Sequence, residues 1–284
     1  GKEHLTIRYT PPSPHSLILT PSIMQSYEEI FRFLVLLIQT ESSLKRVIRS
    51  SWWRNVRYGG RNWRSSGRRG RTAQNDYFEE SLYGVEEWDP EETKAGLRLL
   101  RFGRGFVGGV MRYVFETGVG EVWEGFREAL DLVAVRIRDG DGQGKSKVRG
   151  EVETEVEKIA KSVTDLEGLY RTHVGVVDEM RRRVLVGRQM EPVRKIVEGL
   201  CEICGEFERV VRVRCGELPK GGLRSGTGGG VGDLCARFEQ GMGMLVKVLV
   251  GLEERDEQGN ECWGKMRDAV DGNGFWERRG VSVL

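Results

Sequence analysis

Two long apolar stretches, residues 26–48 and 96–135, constrain this chain more than any other feature, because their large side chains recur every three or four positions. That spacing lays one continuous apolar stripe along a helix; a half-buried strand would instead alternate at every second residue. No catalytic constellation accompanies the stripes. A chain that commits its apolar residues to helices and brings no reactive group is predicted to hold or position a partner rather than transform a substrate.

The charge balance narrows the class of partner. With 45 basic and 43 acidic residues the net charge is +2, so no overall attraction to nucleic acid or anionic lipid follows. The longest apolar run, residues 30–38, is interrupted by Arg32 and spans about half of a bilayer crossing, which predicts no membrane association. No secretory signal pattern opens the chain. Five cysteines, an odd and sparse set, fit a reducing intracellular compartment better than a disulfide framework. The first residue is Gly1 rather than Met, which predicts the tail of a longer protein.

Along the chain, residues 4–20 read as extended, with Leu5, Ile7 and Tyr9 alternating and Pro11, Pro12 and Pro14 forbidding a helix. Thr20 is placed to cap a first helix with Pro21 in its first turn, running to about Ser50. A charged insert, residues 51–92, follows. From Lys45 to Arg71 every charge is basic and from Asp76 to Glu92 every charge is acidic, diluted by Gly, Ser and Asn into a predicted disordered loop. A second helix starts near Glu92 and runs past Leu130. Its glycines, Gly103, Gly105, Gly108 and Gly109, each cost about 1 kcal/mol relative to Ala, so it needs a close neighbour. Residues 139–150 and 216–232 are flexible linkers by composition. Further helices are predicted over 151–188, from Pro192 to Val211, over 233–254 and over 266–276.

Several local patterns suggest chemistry, and each has a plainer reading. Gly103-Arg104-Gly105-Phe106-Val107-Gly108 fits the dinucleotide fingerprint, but no strand precedes it and the helical period runs straight through. Residues 225–232 lack the Gly-Lys-Ser/Thr ending of a phosphate loop. Cys201 and Cys204 have metal-ligand spacing without a second matching pair, and Cys204 shares a helical face with Leu200, Phe207 and Val211, which favours core packing. His4, His15 and His173 are scattered. The strongest rival is residues 52–71, where Trp52, Trp53, Tyr58 and Trp63 interleave with arginines in a pattern suited to stacking bases of RNA or single-stranded nucleic acid. The plainer reading has Trp52 and Trp53 finish the packing of the first helix. No cofactor, metal or small-molecule substrate is called for.

Taken in order, certain anchors resemble the C-terminal domain of the gamma-tubulin complex proteins. They are Leu5-x-Ile7-x-Tyr9 with Pro14-x-x-Leu17-x-Leu19; Tyr27-x-x-Ile30-Phe31-x-Phe33-Leu34; Met111-Arg112-Tyr113-Val114 with Trp123 downstream; Asp165-Leu166 followed by Tyr170-Arg171-Thr172-His173; and Asp271-x-Asn273-x-Phe275-Trp276. Ser13 stands where that family usually has Trp, and the charged insert and high glycine content are departures, which suits a divergent accessory, fungal member. The resemblance implies one helical domain over residues 1–284 that binds gamma-tubulin, beside other gamma-tubulin complex proteins, as a non-enzymatic scaffold for microtubule nucleation. It also implies a cytoplasmic, cytoskeletal location at a microtubule-organising centre such as a spindle pole body.

The expected fold is therefore all-α: antiparallel helical bundles with a short extended N-terminal segment and disordered Gly/Arg-rich loops. Periodicity assigns Tyr27, Phe31, Tyr113, Trp123 and Phe126 to the core. The polar-face residues Arg32, Arg112, Glu116 and Arg127 are the contact candidates for gamma-tubulin. Asn273 and Trp276 join them from the distinctive terminal motif, whose plainer role is a packing clasp.

Overall fold

The computed structural model describes residues 9–54, 56, 88–138, 154–219, 230–255, 262–272 and 274–280. Every regular element among them is helical, so the chain is all-α. In order these are α1 (Pro21–Arg49), α2 (Pro90–Tyr113), α3 (Glu121–Arg138), α4 (Glu155–Ser162), α5 (Leu166–Arg183), α6 (Glu191–Arg214), α7 (Val231–Arg255), α8 (Cys262–Asp271) and α9 (Phe275–Gly280). A π-helical segment, Val114–Gly120, joins α2 to α3 without a break. Most of the charged insert and both predicted linkers lie largely outside the described residues.

Helix ends follow local chemistry. Thr20 takes the extended N-cap conformation and Pro21 the first turn, but the Thr20 side chain makes no cap bond, so proline geometry alone sets the start. Before it, residues 9–14 are non-helical and a short 3-10 turn, His15–Leu17, interrupts the expected extended run. The region read as one helix over 151–188 is two. Thr154 and Glu157 cap α4 reciprocally, and the Asp165 carboxylate accepts from the Gly168 amide at 2.6 Å to restart the chain as α5.

The core lies among the four longest helices. α1 packs on α6, α6 on α7, α7 on α2, and α2 back on α1. Leu37, Leu44, Leu99, Phe106, Leu200, Phe207, Phe238 and Leu245 are each fully buried between them. Burying each such side chain contributes about 1.5–3 kcal/mol. The expected close approach to α2 occurs at Gly103, where a Cβ would sit 3.2 Å from Cys204 Sγ and 3.4 Å from Leu44. Trp52 lies over Gly96 and Leu44 over Gly103, so α1 and α2 are antiparallel; Leu200 over Gly241 and Glu206 beside Arg237 make α6 and α7 antiparallel too. α1 and α6, however, run the same way, with Leu44 near Cys204 and Trp52 edge-on to Phe207. α2, antiparallel to α1, already brings the chain back to the end where α1 began, and the excursion through α3, α4 and α5 leaves from that end and returns to it, so α6 sets out in the direction of α1.

Polar ties fix the register. Glu208 of α6, nearly buried, accepts from Arg46 of α1 at 2.8 Å and from Arg212 at 3.2 Å. A smaller layer of α3, α4 and α5 packs on the N-terminal half of α1. α8 and α9 run back along α2, placing Ala269 against Gly109 and Trp276 against Phe102.

Candidate functional site

The site begins with a change of helical phase. An α-helix continued from Tyr113 would turn positions 117, 121, 124 and 128 inward, and the last three are Glu121, Glu124 and Glu128. The wider π turns of Val114–Gly120 delay the phase by one residue. Val122, Phe126 and Ala129 then face inward, while Glu124 and Glu128 reach solvent. Arg183 of α5 secures the junction, donating to the Thr117 carbonyl at 3.4 Å and to Glu121 at 3.3 Å, and Lys265 of α8 reaches Glu121 at 2.9 Å.

The same phase change puts Trp123 outside. It is 45 % exposed, correcting its assignment to the core. On α3 it shares a face with Arg127, four residues on, and with Ile137, which is 77 % exposed. Phe115, next to Glu116 on the π segment, is also exposed. An aromatic and an arginine side by side with unburied aliphatic surface is the composition that dominates protein–protein interfaces. Periodicity missed Trp123, although the glutamates at inward positions signalled the slip.

Beneath this face the helices are tied by a buried aromatic stack. His173 of α5 is 4 % exposed, lies flat on Phe126 at 5.6 Å, and its Nε2 is 2.8 Å from the Tyr27 hydroxyl of α1. Burial lowers the His173 pKa and raises that of Tyr27, so both are neutral at pH 7. Tyr27 and Phe31 are only partly buried, whereas Tyr113 and Phe126 are core.

The other contact candidates separate clearly. Arg112, Glu116 and Arg127 are exposed, the first two at the α2–π junction and the third on α3. Arg32 is exposed on α1, paired with Glu28 at 2.7 Å. Trp276 is buried: its ring meets Phe102 edge-on at 4.9 Å, and its amide donates to both Asp271 carboxylate oxygens at 3.0 Å. It is the packing clasp that the terminal motif also allowed, and it presents no side chain to a partner. Asn273 lies outside the described residues.

The chemical alternatives meet structure that occupies their residues otherwise. Gly103–Gly108 lies inside α2, with no strand before it. Cys201 and Cys204 are buried in the core; burial pushes the Cys201 thiol up to about 11 and that of Cys204 higher still, so neither is a thiolate at neutral pH. Trp52 is 1 % exposed and Trp53 packs against the core, so neither is offered to a base; Tyr58 and Trp63 lie outside the described residues. Among the described residues no cluster of His, Cys, Asp or Glu is arranged to hold a metal ion, and no helix is long and apolar enough to cross a membrane.

A search of curated proteins returns no match for the chain. The family model of the gamma tubulin complex component C-terminal region matches residues 1–276, which covers both helical layers and the Trp276 clasp. With an all-α fold in which the anchoring motifs at Tyr27, Tyr113, His173 and Trp276 all serve the packing, the chain belongs to the gamma-tubulin complex component family, in its C-terminal part.

Proposed function

We propose that this region binds gamma-tubulin and positions it, as a non-enzymatic scaffold, for microtubule nucleation at a microtubule-organising centre such as a spindle pole body. The observation that carries the reading is the exposed Trp123–Arg127 face of α3, continuous with Phe115 and Glu116 and held rigid by the His173 stack. Arg112 borders that face, and Arg32 supplies a separate contact from α1. Binding free energy goes into orientation, and GTP chemistry stays with gamma-tubulin. Other gamma-tubulin complex proteins assemble beside this chain.

Retention of purified gamma-tubulin on immobilised chain tests the reading. Wild type retains it, and Trp123→Ala with Arg127→Glu weakens retention by about 30-fold or more, the loss of one interface anchor. A folded wild-type sample that retains none removes the proposal.

A further inference from the structure

We infer that the solvent face of α2 is a docking track for an extended, Asp/Glu-rich segment of a partner protein. This surface meets the α3 face only at Arg112 and does not rest on gamma-tubulin capture. Between residues 93 and 115 the charged side chains are Lys94, Arg98, Arg101, Arg104 and Arg112, all basic. Their spacing of three, four and eight residues keeps them on one side of the helix, and the opposite side is buried through Leu99, Gly103, Phe106 and Val110. Lys94 is engaged by Glu91 and Arg98 lies 3.7 Å from Glu239. Arg101, Arg104 and Arg112 have no ion pair among the described residues.

Between Arg104 and Arg112 that face carries only Gly105 and Gly108, and a Cβ at either would meet nothing within 4 Å. The helix backbone is thus bare where the cations flank it, and another chain can lie against it while its carboxylates reach arginines on both sides. From Lys94 to Arg112 the row is about 27 Å long, the span of about eight extended residues. Charge complementarity selects an acidic occupant, and guanidinium forks bind its carboxylates in bidentate pairs.

The test is fluorescence anisotropy of a labelled octa-glutamate peptide with the full 284-residue chain. Wild type binds at low salt, and the affinity falls about 10-fold or more as salt rises toward physiological strength. Arg101→Glu with Arg104→Glu loses at least about 10-fold, and the milder Arg101→Gln with Arg104→Gln loses less, with helical circular dichroism unchanged. Gly105→Leu with Gly108→Leu keeps every charge yet weakens binding several-fold by filling the bare strip. Arg112, shared with the border of the α3 face, is unaltered throughout, so gamma-tubulin retention reads independently.

No binding by wild type overturns the inference, as does equal binding by the charge-reversed chain. Glycine variants that bind like wild type reduce the track to a general cationic surface and overturn it too. Tighter binding of a single-stranded oligonucleotide of equal charge would reassign the face to nucleic acid. Binding that appears only after Asp76, Glu79, Glu80, Glu86 and Glu87 are neutralised would reassign it to this chain's own acidic stretch.

Discussion

His173 shows how one buried side chain sets a pH limit on the fold. Its ring lies between Phe126 and Tyr27 with Nδ1 unpartnered, so a second ring proton would be buried without compensation. Its pKa in the folded chain is held below the ordinary value of about 6.5. Stability is therefore complete above about pH 6.5 and is lost as pH falls from there toward the folded-state value, because only the unfolded chain takes up the proton. Urea midpoints across that window are expected to fall on acidification, and His173→Phe to flatten the decline. Two glycines of α2 offer a contrast. A Cβ at Gly109 would lie 2.1 Å from the Ala269 carbonyl oxygen, so Gly109→Ala must push α8 away and is expected to cost about 1–3 kcal/mol despite the better helix former. Gly105→Ala, with open space around it, is expected to gain up to about 1 kcal/mol in thermal or urea unfolding.

The π segment decides which side of α3 meets water. Deleting one residue from Val114–Gly120 would return the segment to α spacing with the same residues of α3 inward, whereas inserting one alanine between Gly120 and Glu121 would rotate every later residue of α3 by about 100° relative to α2. Glu124 and Glu128 would then turn inward and Phe126 would leave His173. The expected result is destabilisation by at least about 3 kcal/mol, read from denaturant unfolding, because buried unpaired carboxylates replace an aromatic contact. An insertion variant as stable as wild type would show that the phase of α3 has no structural role. Had Val114–Gly120 been ordinary α-helix, Trp123 would not stand on the candidate binding face.

Across the molecule, the four-helix core is closed by the chain's last turns. Trp276 fills the space between α9 and Phe102, and Asp271 caps the α9 backbone that carries it. Trp276→Ala is expected to lower global stability by about 3–5 kcal/mol in urea unfolding, with gamma-tubulin affinity unchanged wherever the chain remains folded. A variant that lost affinity at unchanged stability would instead return Trp276 to the contact set.

The period of three to four in the apolar residues was enough to make this an all-α chain, since only a helix gathers that pattern onto one face. Exposure of Arg32, Arg112, Glu116 and Arg127 was equally legible, because an unpaired charge is too costly to bury. The order of the Tyr27, Tyr113, His173 and Trp276 motifs pointed to the family that the comparison identifies. Packing between distant segments settled the remainder. The parallel pairing of α1 and α6, the burial of Trp276 against Phe102 and the exposure of Trp123 all depend on residues far apart in the chain meeting in space. A local period states which residues share a face; it carries no information on which neighbour, or water, that face will meet.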